Sequence, residues 1–169
     1  VRLGRSGLMV SPLAIGTLTM SPLQKNLPPE RGAEILLYAA EKGVNLFDTA
    51  QYYDTYEPLR LALKKRPDLL VSTKSYAYDR AGAEVAFEEA RKALDMDVIP
   101  IFLMHEQEDR LTLKGHREAF DFYLEQKAKG KILAVGFSTH RVAAVDYAPR
   151  YPGVDVVFPL INVTGVGIP

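Results

Sequence analysis

The chain contains no cysteine. That absence excludes disulfides, thiolate-bound metal and iron–sulfur clusters within these residues, and it fits a cytoplasmic location, which is the expectation. There is no excess of charge either: 21 Lys plus Arg balance 21 Asp plus Glu. Such a balance gives no electrostatic footprint for nucleic acid or an anionic membrane, so neither is expected as a partner. No apolar run approaches the roughly 20 residues of a membrane-spanning helix, and no secretory leader pattern is present. His105, His116 and His140 lack metal-ligand spacing, and no H-E-x-x-H occurs. A glycine-rich phosphate loop is missing as well. Gly16-Thr17 leads into a stretch without glycine before Gly32, and Gly165-Val166-Gly167 is too short to cradle a phosphate.

What is present reads as one soluble domain over residues 1–169, with 47% hydrophobic and 25% charged residues. Apolar runs at Pro12 to Thr17, Val44 to Phe47, Leu69 to Thr73, Val98 to Met104, Ile132 to Phe137 and Val154 to Ile161 alternate with amphipathic segments. Ala33, Leu36, Leu37 and Ala40 share one helical face. Pro28 and Pro29 stand at the entry to that helix and Gly43 at its exit. Ala83, Ala86, Phe87, Ala90 and Leu94 form a second such face, with Asp79 as a candidate cap. Runs that are apolar throughout imply strands buried on both faces, hence a parallel sheet under helices. The pattern predicts six strands and five connecting helices. A small hairpin around Ser6-Gly7 precedes the first strand. An open doubly wound sheet and a (β/α)₈ barrel both fit the alternation. The missing G-x-G-x-x-G after the first strand favours the barrel.

Barrel sites lie at the C-terminal ends of the strands. There the sequence places Asp48 after the second run, Lys74 after the third, His105 after the fourth, Ser138-Thr139 after the fifth and Asn162 after the sixth. Charged groups beside a core are costly unless paired, so Asp48 and Lys74 on adjacent strands are expected to pair. Singly, each has a plainer explanation. Asp48 is a turn cap, Lys74 snorkels to solvent, His105 opens a solvated loop, and Tyr52 and Tyr53 are packing aromatics. Together on one rim they read as a site.

Phe47-Asp48-Thr49-Ala50-Gln51-Tyr52-Tyr53 resembles the F-D-T-A-x-x-Y signature of the aldo-keto reductase superfamily. Val71 to Lys74, Phe102 to His105 and Val135 to Ser138 resemble its strand-three lysine, strand-four histidine and strand-five G-x-S segments. Leu3 to Leu8, with Gly16-Thr17, is similar to its opening hairpin and first strand. The resemblance implies a (β/α)₈ barrel, incomplete in this chain, that reduces small-molecule carbonyl compounds with NADPH, NADH being the alternative. It implies Tyr53 as general acid, Lys74 lowering the pKa of its phenol, Asp48 holding Lys74, and His105 orienting the carbonyl. It also implies cofactor contacts at Gly16, Thr17, Asp48, Ser138, Thr139 and Asn162. An accessory subunit that senses nicotinamide cofactor without turnover, and a lyase using Lys74 in a Schiff base, are the rival readings.

Three positions depart from the family pattern. Asp54 stands where glycine is usual, so another course is expected for the loop. Thr139 replaces an asparagine, and Phe158 replaces a glutamine on strand six, which loosens the expected hold on the nicotinamide amide. Strands seven and eight, which hold the cofactor phosphates in the family, have no counterpart. The expectation is therefore a longer gene product, and weak NADPH binding by this chain alone.

Overall fold

The apolar runs become the strands of one sheet in the computed structural model, which describes residues 1–165. Val166 and Gly167 of the terminal glycine pair lie outside the described residues. The strands are β1 (Ala14–Gly16), β2 (Leu46–Asp48), β3 (Leu70–Ser75), β4 (Ile99–Met104), β5 (Ile132–Thr139) and β6 (Val156–Pro159). All neighbours are parallel and the order is β1-β2-β3-β4-β5-β6. Every residue of β4 is buried. That is the expected consequence of helices on one face and a filled barrel interior on the other.

The sheet curls. In a flat sheet β2 and β6, four places apart, would stand about 19 Å from each other. Yet Leu46 of β2 and Val156 of β6 pack against the same inner cluster of Ile101, Leu103 and Ala134. Leu3 and Leu8 of the opening hairpin join this cluster, and the hairpin is closed by an antiparallel bridge between Arg2 and Met9. Just after the hairpin, the Ser11 N–H donates to Asn45 Oδ1 at 2.6 Å. Asn45 precedes β2, so this plug sits at the N-terminal end of the barrel, away from the rim that carries the polar residues.

The helices cover the outer face: α1 (Pro29–Glu41), α2 (Tyr56–Lys65), α3 (Arg80–Leu94), α4 (Arg110–Gly115), α5 (Arg117–Ala128) and α6 (Val142–Tyr147). α1 starts with Pro29 at its first position and buries Ala33, Leu36 and Ala40; Gly43 after it adopts φ +91°. α3 buries all five expected residues, and the Asp79 carboxylate accepts from the Gly82 N–H at 2.8 Å. No helix among the described residues is long and apolar enough to cross a membrane.

Two expectations need correction. The crossover between β4 and β5 holds two helices rather than one. Asp109 and Thr112 form a capping box that opens α4, and the chain breaks at Gly115-His116 before α5 begins. The sixth strand also stops earlier than expected. It ends at Pro159, followed by one last bond to β5 from the Leu160 N–H to the Thr139 carbonyl at 2.9 Å, and Asn162 lies beyond it, exposed at the start of a turn.

Candidate active site

At the C-terminal rim, neighbouring strands deliver Asp48 and Lys74 side by side. Lys74 is only 2% exposed, and its ammonium donates to Asp48 Oδ2 at 2.6 Å and to the Thr49 carbonyl at 2.7 Å. Burial pushes the Asp48 carboxyl up and the Lys74 ammonium down, with each partner's charge pulling the other way. Behind the pair runs a chain of hydroxyls. Thr55 Oγ1 lies 2.8 Å from Thr49 Oγ1 and 2.7 Å from Thr17 Oγ1, and Thr17 in turn donates to the Asp48 carbonyl at 3.1 Å. Thr55 stands at the N-cap position of α2 but makes no capping bond; its hydroxyl is used in this network instead. Sequence reasoning missed Thr55, because its only signal was that of an ordinary helix cap.

The short turn Gln51–Tyr53 carries Tyr53 over this pair. Asp54 follows in the left-handed conformation at φ +53°, which Asp tolerates better than most residues with a Cβ. The turn thus takes a backbone shape typical of glycine without needing glycine. The Tyr53 hydroxyl lies 3.4 Å from His105 Nε2, and Lys74 Nζ lies 5.3 Å from the centre of the Tyr53 ring. Tyr52 points elsewhere, 63% exposed and stacked on Tyr76. The His105 N–H donates to the Ser75 carbonyl at 2.8 Å, fixing the end of β4 to the end of β3.

The electrostatics reverse one expectation. The Tyr53 phenol is pushed up to about 12, by burial first and then by the negative charges of Asp48 and Glu106. Any pull of Lys74 toward the phenolate is outweighed, since Asp48 stands against its ammonium at contact distance. His105 is pushed down to about 4 by burial and by Lys74, so its imidazole is neutral at neutral pH.

The remaining residues divide. Ser138 lines the same pocket as Tyr53, Lys74 and His105, together with His140, Phe158 and the segment from Pro159 to Ile161. Its hydroxyl accepts from the Glu106 N–H at 2.9 Å, which leaves its own proton to donate. This pocket measures about 180 Å³, below the roughly 300–1,000 Å³ that enclose a drug-sized ligand. The Thr139 hydroxyl is turned into the β5–α6 loop, where it accepts from the Arg141 N–H at 2.9 Å and donates to the Arg141 carbonyl at 3.2 Å. The Thr17 hydroxyl is committed to the network described above. Gly16 is exposed at the end of β1, with open space where a Cβ would stand. Asn162, expected as a cofactor contact at the end of the sixth strand, lies exposed past it. Phe158 brings its ring centre 5.4 Å from Lys74 Nζ, although β3 and β6 are three strands apart. That contact again requires the curl.

A part-barrel of parallel strands with a phenol, a buried ammonium–carboxylate pair and a neutral imidazole at its C-terminal rim defines a class: β/α-barrel proteins with an ionisable cluster at the strand ends. Within that class the chain belongs to the aldo/keto reductase family, whose sequence model matches residues 12–164. An aldo-keto reductase from Pseudomonas aeruginosa superimposes with a TM-score of 0.85 at 28% identity, over 97% of this chain and 68% of that protein. The holo form of a Bacillus halodurans aldo-keto reductase gives 0.79 at 21% identity, over 95% and 57%. A Bombyx mori aldo-keto reductase in complex with NADP gives 0.76 at 17% identity, over 95% and 58%. The chain thus spans about two thirds of the first relative's length and under three fifths of the other two.

Proposed function

We propose that this domain reduces aldehyde or ketone carbonyls to alcohols with NADPH, with Tyr53 as the proton donor. One observation carries the reading: the Tyr53 hydroxyl and His105 Nε2 converge 3.4 Å apart over a buried Lys74 in one pocket. A carbonyl oxygen seated near both atoms would meet a proton donor and an imidazole at once.

The residues present fit the reactive end of a nicotinamide cofactor. Ser138 offers a hydroxyl proton to a carboxamide, Asp48 offers a carboxylate oxygen, and the pocket suits one ring and a small carbonyl group rather than a whole dinucleotide. When bound, NADPH would supply the hydride that adds to the carbonyl carbon. The chain's own residues handle the proton. A phenol raised to about 12 stays protonated at neutral pH, as a general acid in reduction must. After donation the phenolate faces Lys74, whose ammonium offsets the new negative charge. Asp48 and the Thr49 carbonyl hold that ammonium in place. Neutral His105 orients the carbonyl oxygen without competing as an acid.

The Schiff-base alternative is disfavoured by the same geometry, since Lys74 Nζ is buried and engaged by two acceptors. A panel of small aldehydes and ketones, followed by NADPH absorbance, tests the proposal. Turnover is expected for the native chain. Tyr53→Phe should lose about 10²–10⁴-fold in kcat while NADPH affinity changes little. Equal turnover in that variant would remove Tyr53 from the mechanism. NADPH binding with no turnover of any carbonyl would favour a cofactor sensor.

A further inference from the structure

One carboxylate beside the pocket residue His105, that of Glu106, has no role in the proton transfer proposed above. It directly follows His105 and adopts φ +52°, a left-handed conformation uncommon for a residue with a Cβ. Two bonds to Ser138 hold the turn: Ser138 Oγ accepts from the Glu106 N–H at 2.9 Å, and the Ser138 carbonyl accepts from the Gln107 N–H at 2.8 Å. The result places Glu106 Oε1 3.9 Å from His105 Nε2, the same atom that the Tyr53 hydroxyl approaches. The Glu106 side chain stays 44% exposed. Among the described residues no Lys or Arg forms an ion pair with it; His105 beside it is neutral, the Glu106 charge reaches the buried Lys74, and the Tyr76 hydroxyl donates to its carboxylate.

Beside it, aromatic rings lead outward. Tyr76 stacks on His105 with ring centres 4.3 Å apart, and Tyr52 stacks on Tyr76 at 5.9 Å. Both tyrosines present surface to solvent, 39% for Tyr76 and 63% for Tyr52. Ring faces are electronegative and attract cations, the more so beside a carboxylate; Tyr76 is stacked on both His105 and Tyr52, so the face left for a cation is the outer one of Tyr52. The ionisable groups that line the neighbouring pocket are Tyr53, Lys74, His105 and His140, and Lys74 is buried with its charge matched by Asp48.

We infer that Glu106, Tyr76 and Tyr52 form a cation-preferring subsite. Carbonyl compounds bearing an amino or quaternary ammonium group beyond the reacting carbon are taken best, and anionic carbonyls are turned away. This names a substrate class for the reductase proposed above and rests on that reading.

The test uses three aldehydes of similar shape: para-trimethylammoniobenzaldehyde, its neutral isostere para-tert-butylbenzaldehyde, and para-carboxybenzaldehyde. In the native chain kcat/KM should favour the cation over the isostere by about fivefold, the size of one exposed charge contact, and place the anion last. In Glu106→Gln the cation-to-neutral ratio should fall to within about twofold. Tyr76→Leu should reduce it in part. An unchanged ratio in Glu106→Gln, or a preference for the anion, overturns the inference. Calorimetry with the three corresponding benzyl alcohols separates this from the catalytic reading. If no aldehyde is reduced, a cationic alcohol that binds best to the native chain and loses its advantage in Glu106→Gln still supports the subsite. Equal or absent binding of all three overturns it.

Discussion

The two halves of the rim are built differently. At the ends of β2 and β3 the polar groups are buried and mostly matched: Asp48 Oδ2 with Lys74, Lys74 with the Thr49 carbonyl, and three threonine hydroxyls linked behind them, with Asp48 Oδ1 left over. At the ends of β5 and β6 the wall is sparse. The Thr139 hydroxyl serves its own loop, Phe158 is 44% exposed, and Asn162 lies outside the strand. The first half fixes a charge and a phenol to within hydrogen-bond tolerances, because any slack would strand a buried ion. The second half holds Ser138 in place and leaves the rest to packing against whatever occupies the pocket. On the function proposed above, proton handling falls to the rigid half and the seat of the nicotinamide ring to the loose half.

The largest effect expected from breaking this comparison comes at the buried pair. Asp48→Ala leaves the Lys74 ammonium without its carboxylate in a site that excludes water. Loss of one partner of a buried pair costs about 3–5 kcal/mol, to be read as a fall in urea midpoint at constant slope. The double variant Asp48→Asn with Lys74→Met removes both charges and should recover most of that loss. If Asp48→Ala alone costs under about 1 kcal/mol, the rim is wetter and softer there than its geometry implies.

Much of this division is legible in the sequence, for a physical reason. A parallel strand buried on both faces must be apolar throughout, so the first charged residue after such a run marks the rim. Asp48, Lys74 and His105 stand out on that ground alone, and the pairing of the first two follows from adjacent strands. The sign of the Tyr53 shift was not legible. It depends on how deeply the phenol is buried and on Glu106, whose carboxylate arrives from another strand through a left-handed turn. The orientation of Thr139 was hidden too, because a threonine beside a loop can satisfy that loop or the pocket. The break at His116 was hidden within an amphipathic stretch that reads as one continuous helix.

A smaller effect follows from His105. Its folded-state pKa, near 4, lies below the ordinary histidine value of 6.5. The folded protein therefore binds fewer protons than the unfolded chain between those values, and stability falls as pH falls. The contribution is complete above about pH 6.5 and is lost progressively toward pH 4, amounting to about 3 kcal/mol. Protonation of His116 and of the carboxylates acts in the same range, so the measurement is a difference. Urea unfolding of the native chain and of His105→Gln should diverge in slope against pH between 6.5 and 4 and run parallel above 7. Parallel curves throughout would mean that the imidazole is more solvated than its position at the end of β4 suggests.

The smallest effect on the fold, and the sharpest on the comparison, is expected at Phe158. An aromatic ring that is 44% exposed at the end of an edge strand supports little of the core, so Phe158→Gln should change stability by no more than about 0.5 kcal/mol. It would, however, add an amide to the loose half of the rim, facing the pocket where Ser138 offers one hydroxyl. A nicotinamide carboxamide has both a donor and an acceptor to satisfy, and a second polar partner contributes about 0.5–1.5 kcal/mol. NADPH should therefore bind several-fold more tightly to Phe158→Gln, as read by calorimetry, with the urea midpoint unmoved. The same substitution removes the ring that lies 5.4 Å from Lys74 Nζ, but Asp48 and Thr49 already hold that ammonium, so the proton-handling half should not respond. If cofactor binding weakens instead, the ring itself packs against the nicotinamide, and the sparse wall is an apolar platform rather than an incomplete polar one.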